Sequence, residues 1–193
     1  MTDEKKCFNL YFFDFIFSIY GESIKCPDGS NYEGALIDGV FNGYGEQYWN
    51  ETLYYKGNYT NGKFDGKGLL VNGANTYEGE FSNGGYSGTG ILTSNSGYKY
   101  VGTFENNLFN GTGFIVYQNG DSYKGDFKDG YFHGYGTYKY ADGKIENGIF
   151  ENGNFYDPSK KVKSVLGIIF DIVAIISMCA NVYFLIKLKK RNN

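Results

Sequence analysis

Apolar and polar positions alternate from Tyr123 to Lys128: Tyr123, Gly125 and Phe127 fall on one face of an extended chain, Lys124, Asp126 and Lys128 on the other. A period of two marks a half-buried strand. A second strand, Gly134 to Tyr140, lies between the turn signals Lys128-Asp129-Gly130 and Ala141-Asp142-Gly143, so the unit predicts a β-hairpin. Nothing between such units is long enough for a helix. A different pattern appears near the C-terminus, where the 22 residues from Val165 to Ile186 are apolar apart from Asp171, Ser177 and Asn181. A helix of that length spans about 33 Å, enough for a hydrocarbon core, and predicts one transmembrane helix.

The hairpin recurs. An aromatic-x-Gly element starts at Tyr32, Tyr55, Tyr77, Tyr100 and Tyr123, placing glycines at Gly34, Gly57, Gly79, Gly102 and Gly125. A Gly-x-Gly follows each, beginning at Gly43, Gly66, Gly88, Gly111 and Gly134, and both series step by 23, 22, 23 and 23 residues. Two series in one register establish a repeat. Truncated copies flank the array: ENGIFENG from Glu146 keeps Gly148 and Phe150 in register, and GESIKCPDGS from Gly21 resembles the second half of a preceding copy. Terminal copies have a neighbour on one side only, which accounts for their drift.

Glycine inside a strand normally weakens it, because it carries no side chain to pack and loses backbone entropy. The tyrosine face offers a reason for it here: a ring from one strand laid across its neighbour's glycine fills the gap and shields the backbone. The repeated pattern thus predicts an all-β fold, an elongated single-layer, twisted antiparallel sheet on the order of 50 Å long with strands about 4.8 Å apart.

The full pattern, Y-x-G-x-(aromatic)-x-x-G-x-x-x-G-x-G, is present as YKGDFKDGYFHGYG, with Tyr123, Gly125, Phe127, Gly134 and Gly136 at its marked positions. It resembles the MORN (membrane occupation and recognition nexus) repeat, and the resemblance runs from about Tyr32 to Gly153. Leu36 replaces the aromatic of the first copy, and Gly84 and Gly85 stand where one glycine is usual. The resulting organisation is an N-terminal apolar cap or signal segment over 1–21, a repeat array over 22–153, a basic linker over 154–164, a transmembrane helix over 165–188 and a short basic tail over 189–193.

Charge narrows the partners. Asn31 to Asp157 carries 15 acidic and 8 basic residues, a net charge of −7, whereas the part from Pro158 onward carries 7 basic and one acidic. An acidic body argues against nucleic acid, whose phosphates need a basic surface. It is also a poor direct ligand for anionic lipid. The 29 glycines accompany 20 tyrosines and 17 phenylalanines but only two prolines, so the glycine excess belongs to a chain with much to bury.

No catalytic constellation is legible. Gly-x-Gly cradles phosphate where it opens a helix, and here it recurs inside strands. His133 is the sole histidine and its counterparts are Asn42, Asp65, Ser87 and Asn110, a variable turn position. Glu78, Glu80, Glu105 and Asp126 repeat along the polar face, which suits a solvated surface better than a catalytic pair or a metal site. Cys7, Cys26 and Cys179 show no metal spacing and no disulfide framework, although a Cys7–Cys26 bridge stays open. A non-enzyme without cofactor or metal is expected.

Within the apolar span, Gly167, Asp171, Ala174, Met178 and Asn181 step by 4, 3, 4 and 3 onto one helical stripe, suited to self-association or a partner helix. Near the N-terminus, Phe8 to Tyr20 is an apolar run too short to span a bilayer. As a cap on the first hairpin it leaves the repeats in the cytosol, on the endoplasmic reticulum or another endomembrane. As a cleaved signal segment it makes them lumenal or extracellular, with sequons at Asn50, Asn58 and Asn110 open to glycosylation. The cap is the favoured reading. The resemblance implies a membrane-anchored scaffold that binds a protein partner or an apposed membrane, distantly similar in architecture to junctophilins but without their long helical spacer. Its alternatives are a regulatory module acting in trans on a lipid kinase or other enzyme, and the lumenal or cell-surface protein.

Overall fold

In the computed structural model, which describes residues 23–157, 167–170 and 172–173, thirteen strands form one open antiparallel sheet in which every strand pairs with its sequence neighbours. Five long hairpins make up its body: β2 (Asn31–Ile37) with β3 (Val40–Trp49), β4 (Thr52–Thr60) with β5 (Lys63–Val71), β6 (Asn75–Ser82) with β7 (Gly85–Ser94), β8 (Tyr98–Glu105) with β9 (Leu108–Tyr117), and β10 (Ser122–Lys128) with β11 (Tyr131–Lys139). The truncated copies are real strands: β1 (Ile24–Lys25) pairs with β2, and β12 (Ile145–Glu151) turns into β13 (Asn154–Phe155).

The second strand of each hairpin begins before its Gly-x-Gly: β11 starts at Tyr131, three residues ahead of the expected Gly134. The cause is a two-residue turn. Asp129 and Gly130 both take positive φ, 51° and 85°, and close Lys128 directly onto Tyr131. Paired positive φ values match the right-handed twist of the flanking strands, which is why Asp-Gly, Asn-Gly or, at 106–107, Asn-Asn stands at the same place in the other copies. From the second hairpin on, each such turn also donates a backbone amide to the preceding hairpin, as Gly130 does to the Phe109 carbonyl at 2.9 Å.

The two glycines of Gly-x-Gly have different tasks. The first, with φ between +56° and +82°, sits where the register shifts, so it forms a bulge that an L side chain would strain. The second belongs to a row. Gly34, Gly45, Gly57, Gly68, Gly79, Gly90, Gly102, Gly113, Gly125, Gly136 and Gly148 are successive cross-strand partners from β2 to β12.

Tyr32, Tyr55, Tyr77, Tyr100 and Tyr123 cover this row and are fully buried. Each ring lies over the glycine two residues on and over that glycine's partner in the next strand. Its hydroxyl donates to the carbonyl three residues ahead, at 2.8–3.1 Å. A second aromatic, Phe41, Phe64, Tyr86, Phe109 or Phe132, stacks on each ring at 3.8–4.0 Å. The aromatic of the following copy then meets the tyrosine edge-on, as Phe104 meets Tyr77 and Phe127 meets Tyr100, both at 5.0 Å. The core is therefore a continuous aromatic spine on one face of a single sheet, and edge-to-face contacts join the hairpins.

Burial pushes the Tyr100 and Tyr123 hydroxyls from 10 up to about 12, and raises those of Tyr32, Tyr55, Tyr59 and Tyr77 as well. The neutral phenol is favoured in the folded state, so this contribution is intact below pH 10 and is lost as pH rises toward 12. Circular dichroism at fixed urea is expected to show stability falling through that window. Tyrosinate absorbance should lag behind that of a denatured control.

Residues 167–170 and 172–173 are helical and belong to a separate unit. Among the described residues no helix is long and apolar enough to cross a membrane. Most of the expected span, including Asp171, Ala174, Met178 and Asn181, lies outside the described residues, as do Phe8 to Tyr20, Cys7 and Cys179.

Candidate binding groove

Removing side chains toward the tyrosine face leaves the opposite face of the sheet smooth along the glycine row. There a groove of about 770 Å³ runs across β3 to β9, lined by Gly57, Gly68, Gly79, Gly90 and Gly102 along its middle. The residues beside the glycines point into it by strand alternation. Leu69, Glu78, Ile91, Val101 and Phe114 are consecutive cross-strand partners on β5 to β9, continued by Lys56 on β4 and Lys124 on β10. Val101 is 42 % exposed and Phe114 41 %, so this is a wet apolar strip.

Charged and hydroxyl groups rim the strip. Lys56 pairs with Glu46 at 2.8 Å, and Glu46 also accepts from Tyr48; the lysine and then the tyrosine hold the Glu46 carboxyl below the usual range. The Glu80 carboxylate accepts from the Thr89 hydroxyl at 2.7 Å and the Thr89 amide at 3.2 Å, which likewise lowers it. Lys67 stands opposite Glu80 on β5. The rim is thus mixed in sign, and the Glu46 and Glu80 carboxylates are each favoured in the ionised form by their hydrogen-bonding neighbours.

The aromatic signature residues fall on the other side, whereas the signature glycines Gly57, Gly79 and Gly102 form part of the groove floor. Tyr32, Tyr55, Tyr77, Tyr100, Tyr123 and Phe127 are buried in the spine. Gly134 is the bulge of β11, and Gly125 and Gly136 lie beneath the Tyr123 ring. His133 precedes the bulge and faces Asp126 across the hairpin, where its carbonyl accepts from Tyr123. Gly167 is helical and exposed. Among the described residues no three His, Cys, Asp or Glu side chains are placed to hold a metal ion. The sequence pattern did not disclose Phe41, Phe64, Tyr86, Phe109 and Phe132 as core, although they keep the period of the tyrosines. It also left the groove strip unread, because Leu69, Ile91, Val101 and Phe114 sit at positions where other copies carry Glu, Lys or Thr.

The family model of the MORN repeat matches residues 32–51, 55–73, 77–97, 100–122 and 123–145, more than half of the chain. The chain belongs to the MORN-repeat family. All five matched copies start on a tyrosine that opens the spine in its own hairpin and end in the turn or at the strand start that follows, the fifth closing on the first residue of β12. A search of curated proteins finds none that matches the chain.

Cys26, in the turn between β1 and β2, is disulfide-bonded. The sequence left a Cys7–Cys26 bridge open, and Cys7 lies outside the described residues.

Proposed function

We propose that this protein is a non-catalytic MORN scaffold that holds a protein partner in the glycine-floored groove and, through the apolar segment 165–186, keeps that partner near a bilayer. One observation carries the reading: three neighbouring apolar side chains, Ile91, Val101 and Phe114, are left open to solvent, with half-buried Leu69 beyond Glu78, while the aromatic face is consumed by its own packing. A protein that exposes an apolar strip bordered by charges offers an interaction surface. The net charge of −7 over the array favours a partner with basic and apolar side chains over an anionic lipid headgroup. Self-association through the stripe of Gly167, Asp171, Ala174, Met178 and Asn181 would double the groove per assembly.

The test uses the full chain in cells. A photo-crosslinking residue at Val101 is expected to yield a discrete adduct that is lost with Ile91→Asp and Phe114→Asp, while both variants unfold within a few degrees of the parent because the changed side chains are half exposed. Adducts unaffected by either change would overturn the groove as the binding surface.

A further inference from the structure

The turn joining β3 to β4 is unlike the other junctions between hairpins. It has only two residues, Asn50 and Glu51, with φ of 47° and 64°, and it closes Trp49 directly onto Thr52. The four residues Trp49-Asn50-Glu51-Thr52 therefore place an Asn-x-Thr sequon on a tight turn, with Asn50, Glu51 and Thr52 all exposed. The single tryptophan of the chain stands immediately before the asparagine and is 38 % exposed. Its ring lies 3.7 Å from where a side chain on Gly29 would begin, so it rests against the Pro27-Asp28-Gly29 turn. That turn is fixed by Cys26–Ser30 backbone bonds and starts at the disulfide-bonded Cys26.

We propose that Asn50 carries an N-linked glycan whose first N-acetylglucosamine packs on the Trp49 indole, and that the repeat ribbon lies on the oxidising side of its membrane. In the transfer, the Asn50 Nδ2 forms a bond to C1 of the sugar as the bond from C1 to the pyrophosphate of a lipid-linked oligosaccharide breaks. The amide gives up one proton and the lipid pyrophosphate leaves. The apolar face of a sugar ring presents C–H groups of partial positive charge, which suit the negative face of an indole. Trp49 and Thr52, as cross-strand partners, flank the turn on one face and give the sugar both an apolar and a hydroxyl contact.

Two further observations point the same way, the first independent of the sequon. A disulfide at Cys26 persists in the compartments where N-glycans are attached and not in a reducing cytosol. Among the three sequons, only the one at Asn50 sits on the two-residue turn at the end of a hairpin, with all three of its residues exposed. Asn58 lies mid-strand opposite Tyr44 on the groove face, and the Asn110 amide donates to Glu105 at 2.7 Å. The inference goes beyond the scaffold reading and assigns its side of the bilayer, reversing the cytosolic expectation. A failure here leaves the groove crosslinking result untouched.

The full chain is expressed in eukaryotic cells restricted to high-mannose glycans. Digestion with peptide N-glycosidase is expected to remove one glycan's mass, and Asn50→Gln or Thr52→Ala to abolish that shift, while Asn58→Gln and Asn110→Gln leave it. Endoglycosidase H, which spares the first N-acetylglucosamine, is expected to leave Tm unchanged; complete removal lowers it by about 2–4 °C. Trp49→Ala should cancel that difference without changing occupancy. Under non-reducing conditions Cys26 should resist thiol alkylation. An unglycosylated chain, a shift that survives Asn50→Gln, equal Tm after both enzymes, or a freely alkylated Cys26 would each overturn the proposal.

Discussion

Tyr100→Ala is expected to destabilise the ribbon by about 3–5 kcal/mol, the scale of a large-to-small change at a fully packed aromatic. Tyr100 stacks on Phe109 at 3.9 Å, meets Phe104 and Phe127 edge-on at 5.1 and 5.0 Å, and donates its hydroxyl to the Thr103 carbonyl at 2.9 Å. Truncation leaves the Gly102 and Gly113 backbone uncovered and severs the contact to the next copy through Phe127. Because each hairpin is held only by its neighbours, chemical denaturation should split into two transitions. Tyr100→Phe separates the terms: it keeps the ring, loses the hydrogen bond, and should cost about 0.5–1.5 kcal/mol in a single transition. A Tyr100→Ala chain that unfolds within about 1 kcal/mol of the parent would mean that the spine does not carry the stability assigned to it.

Gly79→Ala adds one methyl group and is expected to cost about 1–3 kcal/mol or more, against the usual gain when alanine replaces glycine in regular structure. An added Cβ would lie 2.6 Å from the Gly90 Cα, 2.6 Å from the Tyr77 hydroxyl oxygen and 2.7 Å from the Thr89 carbonyl oxygen. Two of those three atoms are backbone of β7, and the third belongs to a ring clamped by Tyr86 at 3.8 Å. Nothing there yields cheaply. Gly73→Ala is the control for glycine chemistry outside the row: its Cβ would meet nothing within 4 Å, and only its φ of +74° opposes the change. Thermal unfolding of the two variants should show the larger loss at Gly79. Equal losses would mean that backbone conformation, and not the tyrosine roof, dictates the glycine.

The glycine and tyrosine periods already contained the hairpin and the idea that rings roof the glycines, because those features depend on residues two apart in one strand and on turn signals between strands. Boundaries were less legible. The alternation Tyr123, Gly125, Phe127 gives the face of β10, but the early start of β11 follows from Asp129 and Gly130 closing the turn at once. The groove was not legible, since Leu69, Ile91 and Phe114 share the position after Gly-x-Gly with Glu46 and Thr137, and Val101 shares its position with Glu33, Lys56, Glu78 and Lys124, so neither position is apolar throughout. The disulfide at Cys26 joins residues whose spacing says nothing about proximity.

Sequence by itself determined the repeating unit, the antiparallel pairing of neighbours and which face each residue takes, all consequences of local alternation and turn chemistry. The tertiary structure decided what lies beside what across strands. Bulges at the first glycine of each Gly-x-Gly shift the register so that the five second glycines align with the five Tyr-x-Gly glycines and Gly148 into one row, and only that alignment stacks the rings into a spine on one side and opens a groove on the other. Neighbours in that row are about a dozen residues apart along the chain, a separation over which side-chain contact is set by hydrogen-bond register and not by sequence pattern.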